Sequence, residues 1–122
     1  MSILIGADLV ATPSNRALFS GAQLNSLLGE ELLEVLRSAD FRMFNLEAPL
    51  TDEKTPILKC GPNLAVAEDT APGYAAMGID LVTLGNNHIM DHGVPGLRRT
   101  QSILQQHGIG MVGVGDTPEE AK

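Results

Sequence analysis

Cysteine is nearly absent from this chain: Cys60 stands alone, beside Gly61-Pro62. An intrachain disulfide is thereby excluded, the fold needs no oxidising compartment, and Cys60 reads as an ordinary loop thiol. Long apolar runs are missing too, none approaching the roughly 20 residues of a membrane span. The start lacks the basic and apolar regions of a signal peptide, because Met1-Ser2 leads straight into a strand pattern. The expected location is therefore cytoplasmic. Cationic side chains are scarce, with 8 Lys and Arg against 15 Asp and Glu, a net charge of −7. That balance disfavours nonspecific nucleic-acid binding, which needs cations to displace phosphate counterions. It leaves the substrate's charge open, since a bound metal can reverse the local field. Internal repeats and low-complexity tracts are also absent.

What is present suits one soluble domain with a modest core: 122 residues, 12.9 kDa, 43% hydrophobic, mean hydropathy +0.07. Ser2–Ala7 is an apolar run ending on Asp8, Phe41–Phe44 a second ending on Asn45-Leu46-Glu47, and Leu81–Leu84 a third. Met111–Val114 reads as a fourth strand. From Glu30 to Ala39, residues Leu32, Leu33, Val35, Leu36 and Ala39 share one helical arc opposite Glu30, Glu31, Glu34 and Arg37. Thr70–Met77 suits a short helix with Pro72 in its first turn, stopped by Gly78. Val94–His107 suits a longer one, with Leu97, Thr100, Ile103 and Leu104 on one arc, stopped by Gly108. The 49–72 segment is long, polar and proline-interrupted, a length uncommon in a connection without structure or function of its own. Alternating strand and helix predicts an α/β domain, a mainly parallel sheet flanked by helices.

The chemistry gathers at the strand ends. After Leu81-Val82-Thr83-Leu84 come Gly85-Asn86-Asn87-His88-Ile89-Met90-Asp91-His92-Gly93. Paired amides are poor strand formers, so strand propensity does not explain them. In open α/β sheets, ligands sit outside the carboxyl ends of the strands. Three such ends deliver Asp8, then Asn45 and Glu47, then Asn86, Asn87, His88 and Asp91. Oxygen ligands with a few imidazoles suit hard or borderline divalent ions such as Mn, Mg, Fe or Zn.

Taken together, these motifs resemble the bacterial capsule-synthesis CapA family, also called the poly-γ-glutamate biosynthesis family, whose fold is related to the calcineurin-like metallophosphoesterases. The resemblance covers essentially all 122 residues. It rests on Ile5-Gly6-Ala7-Asp8, on Ala39-Asp40-Phe41 leading to Asn45-Leu46-Glu47-Ala48-Pro49-Leu50, on Gly78-Ile79-Asp80 through His88 with Asp91 and Gly93, and on Gly108-Ile109 through Gly113-Val114-Gly115 with Glu120-Ala121. It implies metal ligation by Asp8, Glu47 and Asn87, with His88 as the acid that protonates a leaving oxygen and Asn45, Asn86 and Asp91 in support. The implied cofactor is a divalent metal ion, two in a complete domain, where a dinuclear centre activates water and clamps phosphoryl oxygens. An imidazole is the side chain suited to supplying a proton near neutrality. The implied substrate is an anionic small molecule or polymer.

Related phosphoesterases complete the site with histidines from the second half of the domain, and His92 and His107 do not match those positions. Thr117-Pro118-Glu119-Glu120 is a capping-box pattern announcing a helix just before Lys122. Residues 1–122 are accordingly expected to be the N-terminal part of a metallophosphoesterase-like α/β sandwich, holding half a site and inactive alone. The surface left by the missing half implies a homo-oligomer. Two competing readings are a noncatalytic accessory or polymer-binding module, and an ordinary α/β domain whose amides only cap a sheet edge.

Several residues carry plainer readings. His88 and His92 are four apart, but Gly85 and Gly93 favour a loop, so His92 reads as loop-stabilising or exposed. His107 suits the last turn of a helix, where a cation complements the dipole. Asp91 either accepts hydrogen bonds that hold the His88 loop or forms an Asx turn before Gly93. Asn86 reads as a loop organiser, and Asn45 as a tie between strand ends or a ligand contact. Lys59 and Arg16 read as solvated surface charges.

Overall fold

Val82 and, just past its strand, Leu84 are buried, and that strand lies inside a four-stranded sheet that organises the chain. The computed structural model describes residues 1–122. Strands β1 (Ile3–Leu9), β2 (Phe41–Leu46), β3 (Leu81–Thr83) and β4 (Gly110–Val112) are all parallel and lie in the order β1-β2-β3-β4. Three short helices, α1 (Arg16–Ser20), α2 (Leu24–Leu28) and α3 (Glu30–Ser38), join β1 to β2. A 3₁₀ turn (Glu68–Thr70) and α4 (Ala71–Ala76) precede β3, and α5 (Gly93–Gln106) links β3 to β4. The fold is α/β, and no helix is long and apolar enough to cross a membrane.

Side chains alternate across a strand, so the register sorts the sheet into two faces. Leu4, Phe44, Val82, Leu84 and Met111 join the core with Leu33 and Leu36 of α3 and Ile103 and Leu104 of α5. Each fully buried leucine contributes about 2 kcal/mol relative to exposure. On the opposite face, Ile3 and Ile5 are 59% and 69% exposed, and their neighbours Phe41, Met43, Leu81 and Val112 are half-buried and outside the core cluster. Purely parallel sheets are normally covered on both faces. Here one apolar face is open.

The second layer is bolted down by named contacts. Phe19 and Tyr74 pack edge to face at 5.0 Å, bringing α1 onto α4, and Gly73 is needed there because a methyl on it would fall 2.6 Å from the Phe19 carbonyl oxygen. Arg16 pairs with Asp69 and Arg99 with Glu68, tying the 3₁₀ turn to α1 and α5. Arg42 donates to the carbonyls of Leu36 and Ala39, each at 2.6 Å, and so caps the end of α3.

One expectation changes: Asp8 does not end its strand but lies within β1. At Thr117–Ala121 the chain makes turns, with Thr117 Oγ1 accepting from Glu120 N–H at 3.3 Å and Glu120 reaching back to Asp116 N–H at 3.0 Å.

Candidate functional site

A bulge in β1 creates the first part of the site. Ile5 pairs with Met43 and Asp8 with Asn45, three steps on β1 against two on β2. The extra residue shifts the alternation by one. Asp8 would otherwise share the core face with Leu4; after the bulge it shares the open face with Asn45 and Thr83. A continuous polar row results. Asn45 Nδ2 donates to Asp8 Oδ1 at 2.7 Å, and Thr83 Oγ1 donates to Asn45 Oδ1 at 3.0 Å.

Asn86 extends this row into the loop after β3. Its Nδ2 donates to Asn45 Oδ1 at 3.2 Å and to the Leu46 carbonyl at 2.8 Å. Its Oδ1 accepts the backbone N–H groups of His88 and Ile89, each at 3.0 Å. Asn45 and Asn86 therefore spend their amides on holding the strand ends and the loop.

That loop presents His88 against Asp91. His88 Nδ1 lies 2.7 Å from Asp91 Oδ2, and Asp91 is fully buried. Asp91 Oδ2 also accepts Leu64 N–H at 2.6 Å, while Oδ1 pairs with the Lys59 ammonium. Burial alone would push the Asp91 carboxyl up; the hydrogen bonds from Lys59, Leu64 and His88 outweigh it and hold the group below its ordinary range. Of the two roles open to Asp91, its side chain takes the one that holds the His88 loop. Lys59 is not a solvated surface charge: its side chain is 19% exposed and committed to a buried carboxylate. The distance along the chain, 32 residues, hid this pair from any local pattern.

His92 faces elsewhere. It is buried, and its Nδ1 accepts Thr55 N–H at 2.9 Å while Thr55 Oγ1 donates to the His92 carbonyl at 2.7 Å. Burial, with Lys54 nearby, lowers its pKa below the usual imidazole value despite the opposing pull of Asp91. His107 Nδ1 contacts the Ile103 carbonyl at 2.9 Å, at the end of α5.

The three residues proposed as ligands behave differently. Asp8 has one oxygen engaged by Asn45; Glu47 is half-buried and Asn87 exposed. Their donors are all oxygens, which suits a hard divalent ion. No three side chains among His, Cys, Asp and Glu stand close enough to hold a metal. Asp8, Glu47 and Asn87 thus offer the donor type such an ion takes without belonging to a cluster of that kind.

A sequence model of the family described as bacterial capsule synthesis protein PGA_cap matches residues 4–122. Two uncharacterized proteins of Sinorhizobium fredii, y4sH and y4uA, are each 35% identical over 96 residues, covering 75% of this chain and 21% of their own length. Capsule biosynthesis protein CapA of Bacillus anthracis is 28% identical over 90 residues, 71% of this chain and 22% of its own. The chain thus spans about a fifth of the length of the curated relatives it matches.

Proposed function

The chain belongs to the bacterial capsule synthesis protein PGA_cap family, and from that premise we propose that it carries one half of a metal-dependent, phosphoesterase-type hydrolase site serving capsule or poly-γ-glutamate synthesis. The observation that carries this reading is the oriented His88–Asp91 pair beside the Asp8–Asn45–Thr83 row, all at the carboxyl ends of parallel strands. Asp8, Glu47 and Asn87 would hold a divalent ion such as Mn, Fe, Zn or Mg from one side. When bound, such an ion supplies Lewis-acid activation of water and of a phosphoryl oxygen.

The chain's own residues have separate tasks. Asp91 accepts the proton on His88 Nδ1, so that when the ring carries a proton on both nitrogens the Nε2–H is the one delivered to a leaving oxygen, leaving Nδ1–H on Asp91. Asn45 fixes the Asp8 carboxylate, and Asn86 fixes the loop that carries Asn87 and His88. The open apolar face supports the reading of a larger metallophosphoesterase-like domain. The polar row lies on that same face, so whatever covers Ile3, Ile5, Phe41 and Met43 is brought up to Asp8. A homo-oligomer would use the same surface, and the substrate would be an anionic small molecule or polymer. The lack of a closed ligand cluster favours one alternative, a noncatalytic accessory module that binds polymer.

Titration calorimetry with Mn²⁺ tests the reading. Residues 1–122 should bind weakly, Asp8→Ala or Glu47→Ala should weaken binding by about tenfold or more, since losing even an outer-shell partner of a ligand costs about that much, and His88→Ala should leave it unchanged. Equal affinity in wild type, Asp8→Ala and Glu47→Ala would remove the metal-site reading and leave the accessory role.

A further inference from the structure

The 51–65 loop is pinched at its base, where Val66 N–H donates to the Pro49 carbonyl at 2.9 Å and Thr51 N–H to the Val66 carbonyl at 3.0 Å. Its contacts with the His88–Gly93 segment run along its length. Thr55 holds His92 from both sides, Ile57 N–H donates to the Asp91 carbonyl at 3.0 Å, and Leu64 N–H donates to Asp91 Oδ2. Lys59, near the tip, sets its ammonium beside the His88–Asp91 pair: it pairs with Asp91 Oδ1 and stands 3.4 Å from His88 Nδ1.

The division of labour on the Asp91 carboxylate is the informative feature. One oxygen takes the cation; the other takes two further donors, Leu64 N–H and the imidazole. A buried carboxylate stripped of its cation is strongly disfavoured, and its freed oxygen would seek water or swing toward another donor. The other cations in ion pairs are committed elsewhere: the Met1 amino group to Asp40, Arg16 to Asp69, Arg42 to Asp80, Arg98 to Asp116, Arg99 to Glu68. Lys59 is the lysine that holds Asp91.

We propose that Lys59 is a positioning residue for His88: by saturating Asp91 Oδ1 it keeps Oδ2 on the imidazole Nδ1–H and so fixes the ring with Nε2 free. The long connection exists, in this reading, to deliver that ammonium. The proposal rests on His88 as the proton donor, and its role is orientation through Asp91 rather than contact with substrate.

The test is the exchange rate of the His88 Nδ1 proton, followed by NMR on ¹⁵N-labelled chain at a pH where the imidazole is neutral. Wild type should show a hydrogen-bonded Nδ1–H and an unprotonated Nε2. Lys59→Gln should exchange that proton roughly tenfold faster or more, the scale of a lost hydrogen bond to a charged group, with Lys59→Arg staying within about threefold of wild type. Thr55→Ala loosens the same loop without touching the charge and should leave the rate unaltered, which separates positioning from mere anchoring. Equal rates in wild type and Lys59→Gln overturn the proposal, and so does equal acceleration in Lys59→Gln and Lys59→Arg. If Lys59→Gln does not fold, the wild type decides: a nuclear Overhauser contact between the Lys59 ε-methylene and the His88 Nδ1 proton is expected, and its absence overturns the proposal. None of these readouts involves turnover or a metal, so the hydrolase reading and this one fail separately.

Discussion

Asp91 keeps a charge where water is excluded, and the structure makes that possible with three donors on one carboxylate. Asp91→Asn leaves Lys59 facing a neutral amide and should lower stability by about 3 kcal/mol, the scale of breaking a buried pair; a thermal melt against wild type measures it. Acid should act in two stages. The folded-state pKa of His92 lies below its ordinary 6.5, so its contribution is fully present above 6.5 and is lost as pH falls through the folded value. Protonating Nδ1 also removes the acceptor for Thr55 N–H. Asp91 follows the same sign lower down, its contribution being present above its ordinary 3.8 and lost as pH falls through the depressed folded value. Urea denaturation from pH 7 to pH 2 should show the upper window and the onset of the lower one in wild type, and His92→Asn should lack the upper one.

At the level of elements, the β1 bulge has more consequence than any helix. It reverses which face Asp8 presents, and Gly6 sits within it for a steric reason: a methyl there would fall 2.1 Å from the Phe44 ring. Gly6→Ala must push Phe44 off the core face, so a loss of about 2 kcal/mol is expected, in the range of overpacking, along with altered Asp8–Asn45 shifts in an amide spectrum. Unchanged stability and shifts would mean that the ring has room to move. Arg42 makes a second element-scale prediction. Its guanidinium gathers carbonyls at the end of α3 and pairs with Asp80 at 3.3 Å before β3. Arg42→Met should cost roughly 2 kcal/mol, as expected for hydrogen bonds to a charged donor, measured by urea unfolding with an unchanged slope.

For the whole molecule, the open sheet face dominates. Ile3 and Ile5 stand more than half exposed on an edge strand beside Phe41 and Met43. Edges and contiguous apolar patches of this kind promote association. Sedimentation velocity over a dilution series should show self-association of residues 1–122, and an Ile3→Lys/Ile5→Lys variant should run as a monomer. A wild type that stays monomeric at every concentration would refute the face as an interface. The sequence anticipated an uncovered sheet edge or apolar face where a second half of the domain would pack. In the structure the bare face lies across the sheet from α3 and α5.

Periodicity by itself determined the four strands, α3, the short helix near Pro72 and the helix ending at Gly108, because burial of one face imprints a repeat on neighbouring residues. It also determined that polar groups collect at the strand ends, since amides and carboxylates interrupt an apolar run conspicuously. The short helices at Arg16–Ser20 and Leu24–Leu28 left too few turns to show a repeat. Asp8's facing depended on one extra residue in β1, which only pairing with β2 reveals. The coupling of Lys59 to Asp91, the burial of His92 under Thr55, and the bare sheet face were decided by the tertiary structure alone. Each joins residues far apart in the chain, and no local pattern records which distant group meets which; that is settled when the sheet register and the base of the 51–65 loop bring them together.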